Sequence, residues 1–134
     1  MTDWIYQGTT LEQTPEEYQG FVYLITNLAY NKHYIGKKLF WTTRKLPPLR
    51  GRKNKRHQRV ETDWRQYWGS SEALLKDLNQ LGPEHFRKEI LTLCKNKNSL
   101  SYEEARMQFS QGVLLSDAWY NGIINCRVTG RGLL

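Results

Sequence analysis

Residues 20–38, GFVYLITNLAYNKHYIGKK, set two short apolar runs, each carrying a tyrosine, on either side of a polar turn, with two lysines after them. "FVYLIT" is rich in β-branched and aromatic residues, and "HYIG" resumes that character after the Asn-containing "NLAYNK". The stretch therefore predicts a β-hairpin. Tyrosines in hairpins ordinarily pack, with the hydroxyl finding one partner. The alternative is that Tyr23 and Tyr34 are placed for chemistry, and the rest of the chain has to decide between the two.

Outward from the hairpin, residues 1–19 read as a polar extension. A short helix is expected near "TPEE", where Pro15 and two acids suit a helix N-terminus. Downstream, "GSSEALLKDLNQLG" carries Leu74, Leu75, Leu78 and Leu81 at helical spacing. Ser70 or Ser71 can cap that helix, and Gly82 with Pro83 ends it. "HFRKEILTLC" alternates as a strand, a helix follows from about Leu100 through Met107 and beyond, and "YNGIINCRVTG" closes the chain as an irregular or short extended segment. The order β-β-(insert)-α-β-α predicts a small α/β domain over 20–134, a central three-stranded, mostly antiparallel sheet flanked by helices. A length of 134 residues suits one such domain.

The formal charge of +7 is high for this size and makes nucleic acid the first partner to consider, membrane headgroups the second. No apolar run approaches the roughly 18–20 residues of a membrane span. The opening residues are acidic and polar, unlike a signal or transit peptide, so a cytoplasmic protein is expected. Cys94 and Cys126 lie far apart without metal-ligand spacing, and Cys94, inside "EILTLC", is expected to be a buried small hydrophobe.

The most biased segment lies between the hairpin and the Leu-rich helix. From Lys37 to Arg59 there are ten basic residues and no acidic one: Lys37, Lys38, Arg44, Lys45, Arg50, Arg52, Lys53, Lys55, Arg56 and Arg59. Half of the 20 Lys and Arg thus fall in one sixth of the chain. Pro47, Pro48 and Gly51 give the insert, about residues 44–63, a loop-like character. So dense a run repels itself unless something offsets the charge, and a phosphate backbone does so through counterion release. His57, inside the insert, is expected among these nucleic-acid-binding residues. Trp41, Trp64, Tyr67 and Trp68 bracket the insert; they either pack it against the domain or stack on bases, and packing is the expectation.

A basic protein with two hairpin tyrosines, an arginine ten residues past the second and an acid on a late helix has the parts for phosphodiester hydrolysis. That reaction needs a proton acceptor for water, positive charge for the phosphorane-like transition state and a carboxylate for a divalent cation. The ordered set resembles the GIY-YIG nuclease family. "VYL…YIG" resembles its signature, eleven residues from tyrosine to tyrosine. Arg44 falls where phage homing enzymes of the family carry their arginine. "GSSEALLKDLNQLG" looks like the helix after that arginine, "FRKEIL" like the third strand, "SLSYEEARMQF" like the helix with the metal-binding glutamate, and Tyr120-Asn121 like the asparagine motif. The likeness is nearest in pattern to stand-alone phage-type members and spans about residues 21–121.

The resemblance implies roles. Tyr23 matches the tyrosine that acts as general base or orients water. A phenol with an ordinary pKa near 10 needs positive charge to do so, which Lys37 or Lys38 could supply. Tyr34 would bind the phosphate or water network, Arg44 would stabilise the transition state, and Asn121 would position the end of the site. Glu104, or Glu103 beside it, would hold one Mg²⁺ (or Mn²⁺) per site, completed by water and substrate phosphate; the family spacing favours Glu104. The expected activity is metal-dependent hydrolysis of DNA, nicking as a monomer or cutting both strands as a homodimer. The alternative is a catalytically inactive nucleic-acid-binding module on the same fold. Where homing-type relatives carry histidines, this chain has Pro48 and Gly69, and His57 would either replace one of them or serve as a plain phosphate contact. His33 is expected on the strand face opposite Tyr34, and His85 is read as structural.

Overall fold

A computed structural model describes residues 2–133. Among these, seven strands and two α-helices run in the order β1 (Trp4–Tyr6), β2 (Thr9–Thr10), β3 (Gly20–Asn27), β4 (Lys32–Leu39), β5 (Trp41–Leu46), β6 (Arg56–Glu61), α1 (Glu72–Leu81), β7 (Phe86–Cys94) and α2 (Lys97–Ser110). Short 3₁₀ turns at Trp64–Gln66 and Pro83–His85 lead into α1 and β7.

The expected hairpin is β3–β4, antiparallel, with Tyr23 opposite Gly36 and Ile25 opposite Tyr34. β7 pairs antiparallel with the other side of β3, which completes the predicted three-stranded centre. The sheet nevertheless has five strands rather than three, in the order β2-β1-β7-β3-β4, and it is mixed because β1 runs parallel to β7. β1 and β2 are only three and two residues long, too short to show a period, yet Trp4 on β1 is fully buried. The helix expected near "TPEE" does not form; that segment is turn and coil.

β3 is buried on both sides, and its alternation divides the core in two. Phe21, Tyr23 and Ile25 face an aromatic cluster with Trp4, Phe40, Trp64 and Leu74 of α1. Val22 faces the other way, against Ile35, Cys94, Leu100 of α2 and Val113. The sheet is thus sandwiched between the α1 side and α2. Trp64 is fully buried and Trp68 and Tyr67 pack on the same cluster, as expected of aromatics that pin a segment to the domain.

The helix ends follow local chemistry. Ser71, rather than Ser70, caps α1 by accepting from Leu74 N–H, and Gly82 at φ 90° ends it. Asn96 caps α2 by accepting from Ser99 N–H.

The basic insert is not a loop through its length. β5 and β6 form a separate two-stranded antiparallel ribbon, joined by residues 47–55. Its strands are polar on both faces, so no apolar alternation announced them. No described helix is long and apolar enough to cross a membrane.

Candidate active site

Tyr23 and Gly36 lie directly across the β3–β4 pair, on the α1 face of the sheet. The glycine is required there. A Cβ at Gly36 would stand 2.6 Å from Cζ of Tyr23 and would overlap its hydroxyl. A Cβ at Gly69, which has φ +86°, would lie 3.2 Å from the same hydroxyl and 3.4 Å from Tyr34. Two glycines therefore let the Tyr23 phenol slide under Tyr34, with ring centroids 6.1 Å apart. Tyr67 meets Tyr23 edge-on at 6.1 Å.

Packed this way, Tyr23 is almost wholly buried. Burial, then the neighbouring Tyr67 and Tyr34 phenols, pushes its pKa far above the ordinary tyrosine range. The expected help from the lysines is missing, because both are engaged elsewhere. Lys38 pairs with Asp63 at 2.8 Å and lies over the Tyr67 ring. Lys37 is bonded to Ser101 at 2.7 Å and stands 3.9 Å from Glu104. The Tyr23 phenol is thus a protonated donor at neutral pH.

Tyr34 is the phenol at the surface of the site. Its hydroxyl is 3.3 Å from Ser70 Oγ, the serine left free when Ser71 caps α1. Burial raises its pKa and the Ser70 hydrogen bond partly offsets this. Tyr34 borders a cavity of about 350 Å³ with Lys37, Ser70, Glu104, Gln108 and Asn121. These residues come from both faces of the sheet. They meet because β4 is the edge strand, around which Tyr34 from one face and Lys37 from the other can reach one space.

The far wall is the C-terminal segment, which runs along the open edge of β4. His33 N–H donates to Ala118 O, and Tyr120 N–H donates to His33 O. Asn121 then continues the pairing with its side chain: Nδ2 donates to Ile35 O at 2.8 Å and Oδ1 accepts from Ile35 N–H at 3.1 Å. Tyr120 anchors the segment by donating to Asp77 at 2.6 Å and accepting from Asn27 at 3.0 Å. Its phenol is pushed up to about 12, chiefly by burial. His33 is on the opposite face from Tyr34, as alternation predicts, against Thr26 and Trp119.

α2 separates its two adjacent acids. Glu103 turns outward and pairs with Arg106 at 2.7 Å. Glu104 lines the cavity; burial holds its carboxyl above the usual carboxylate range, and Lys37 partly offsets the shift. Gln108, one turn later on the same helix face, is buried and donates through Nε2 to Ile35 O at 3.0 Å. Its Oε1 is a buried side-chain acceptor without a partner among the described residues. Sequence reading missed Gln108, although its i+4 spacing from Glu104 was the available signal.

A carboxylate and an unpartnered amide oxygen suit a hard divalent cation, which takes oxygen ligands. Among the described residues no three His, Cys, Asp or Glu converge, so water and substrate would have to complete the shell.

Arg44 is not brought to this cavity. It lies exposed on β5, where Nη2 donates to Gln58 Oε1 at 2.9 Å across the ribbon. Lys45, His57 and Arg59 are also on the ribbon strands, Arg56 begins β6, and Arg50, Arg52, Lys53 and Lys55 occupy the connecting turn. Of the expected catalytic set, the structure brings together Tyr34, Glu104 and Asn121, with Tyr23 directly behind Tyr34.

The family model described as "Putative endonuclease segE, GIY-YIG domain" matches residues 4–124, nearly the whole chain. No curated protein and no solved structure gives a significant match.

Proposed function

The chain belongs to the segE GIY-YIG endonuclease family, and from that premise we propose that it is a metal-dependent endonuclease hydrolysing phosphodiester bonds in DNA, with one active site per chain. The observation that carries this reading is the convergence of Tyr34, Lys37, Glu104 and Asn121 on one cavity, from three separate parts of the chain: β4, α2 and the C-terminal segment.

Hydrolysis forms a bond from water oxygen to phosphorus, breaks a P–O ester bond and places extra negative charge on the phosphate oxygens in between. A Mg²⁺ or Mn²⁺ ion held by Glu104, with Gln108 Oε1 beside it, would supply Lewis acidity toward that phosphate. Lys37 is the cation lining the cavity and takes the charge-stabilising part expected of Arg44. Tyr34, steadied by Ser70, offers its hydroxyl to the attacking water or to a phosphate oxygen. Tyr23 fixes the position of Tyr34 from beneath and stays protonated. Asn121 has both amide groups committed to Ile35, so it holds the wall of the site rather than the substrate. A single such site nicks one strand at a time; a homodimer would cut two.

The test is supercoiled plasmid with Mg²⁺, Mn²⁺ or chelator. The wild-type protein should convert it to the open-circular form only with metal, and Glu104→Gln should not. Binding without conversion under every metal would leave a nucleic-acid-binding module on a nuclease fold.

A further inference from the structure

We propose that the β5–β6 ribbon is a reading element for the major groove of duplex DNA, and that its face carrying Arg44 and Gln58 makes the base contacts. The inference rests on the DNA-directed reading above, but not on cleavage.

The register fixes the two faces of the ribbon. Paired residues share a face, so Thr42, Arg44 and Leu46 lie with Val60, Gln58 and Arg56, while Trp41, Thr43 and Lys45 lie with Glu61, Arg59 and His57. The second face is tied down at its base. Trp41 Nε1 donates to Pro15 O at 3.1 Å, Arg59 donates to Glu16 O at 2.8 Å while stacking 4.0 Å over Trp41, and Thr14 bonds to Glu61. These contacts brace the ribbon against the N-terminal segment and leave the first face free.

At its base that first face opens on a cleft of about 720 Å³. Thr42 lines it with Lys37, Lys38 and Lys97. Lys37 also lines the catalytic cavity. Asp63, paired with Lys38 at 2.8 Å, is the one carboxylate lining this cleft, so three lysines against one acid leave a net positive tract from the free face of the ribbon to the site where Glu104 sits. A duplex held on the ribbon would have its backbone led along this tract.

The dimensions and chemistry select the occupant. Six residue pairs extend roughly 20 Å. The major groove of B-DNA is about 12 Å wide and admits a two-stranded ribbon, whereas the deep, narrow major groove of an RNA helix does not. Arg44 and Gln58 form an adjacent pair, exposed and already aligned by their mutual hydrogen bond. Arginine is the residue that reads guanine bidentately and glutamine the one that reads adenine. The remaining cations, at the turn, meet phosphate and set affinity without sequence information.

The test uses full-length Glu104→Gln protein to select from a random duplex DNA pool at fixed salt without divalent metal. A base preference should emerge. In the Glu104→Gln background, Arg44→Ala with Gln58→Ala should erase that preference at one or two positions, a loss of about 5- to 150-fold discrimination at each. Arg52→Ala with Lys53→Ala should weaken all sequences alike and leave the preference intact. Bound protein should also shield guanine N7 from methylation, and Arg44→Ala should remove that shielding while the thermal transition stays in place. No preference in the parent, an unchanged preference in the Arg44/Gln58 variant, or equal competition by duplex RNA would each overturn the proposal. Cleavage by the wild-type protein is scored separately. An intact preference without cutting sinks the endonuclease reading alone, and cutting without preference sinks the ribbon alone.

Discussion

The ring of Tyr23 occupies the space in which a side chain at Gly36 would begin. The third residue of "YIG" is therefore a packing requirement as much as a signature. Gly36→Ala must push the Tyr23 ring out of a close-packed core, at a cost of about 1–3 kcal/mol. Gly130→Ala, where a Cβ would meet nothing within 4 Å, is the control and should leave stability unchanged. Chemical denaturation of the two variants separates them; equal midpoints would mean that the ring can move freely.

Glu104 gives a prediction in stability as well as activity. Its folded-state pKa lies above the unfolded value because burial disfavours the charge. The folded state accordingly prefers the protonated form. That contribution is fully present below the ordinary carboxylate pKa and is lost as pH rises through the folded value. Glu104→Gln, uncharged throughout, should gain thermal stability relative to wild type as pH rises from acid to neutral. A divalent cation should reverse the order. At ten times its Kd, bound Mg²⁺ adds about 1.4 kcal/mol to wild type and nothing to the variant. Melting curves with and without Mg²⁺ at two pH values check both signs.

Residues whose periodicity is carried by apolar side chains were legible in the sequence. β3, β4 and β7 and the leucines of α1 lie where the pattern placed them, and the segment from Tyr120 onward is irregular, as expected. The missed elements lacked that signal. β1 is held by a single buried tryptophan and by pairing to β7, and β2 only by pairing to β1, which are tertiary facts. The ribbon has no apolar face, so "TTRKL" and "RHQRVE" read as charge rather than as strand. The same gap misdirected Arg44. Counting residues from Tyr34 placed it at a family position, but β5 leaves the main sheet after Leu39 and carries Arg44 away on the ribbon. Lys37, which reaches the cavity, reads in the sequence both as part of the basic run and, with Lys38, as a cation beside Tyr23.

Lys88 is a buried cation that alternation on β7 could have revealed. It donates to Arg65 O at 3.1 Å and Tyr67 O at 2.9 Å, between the rings of Trp4 and Trp68. Burial pulls its pKa down to about 8 from an ordinary 10.5. Between these values the unfolded chain holds the proton and the folded chain releases it, so this residue adds stability as pH rises through the window. The melting temperature of wild type relative to Lys88→Met should therefore climb between pH 8 and 10.5. A flat difference would mean that the two carbonyls and two indole rings keep the ammonium charged.

Lys37 and Arg44 should fail in different ways when each is removed. Lys37 lies in the cavity and lowers the pKa of Glu104, whereas Arg44 faces Gln58 on the ribbon. Lys37→Ala should reduce single-turnover nicking by about 10²–10³-fold, the usual loss for one transition-state contact. It should also move the acid limb of the pH–rate profile upward, because Glu104 without its cationic neighbour ionises at higher pH. Its affinity for a plasmid fragment should change only a few-fold, as expected for one phosphate contact among many. Arg44→Ala should leave the acid limb where it is and act on binding. Nicking rates across the acid-to-neutral range, measured with saturating protein, distinguish the two. A shift of the acid limb in Arg44→Ala, with none in Lys37→Ala, would return the arginine to the catalytic site and remove the lysine from it.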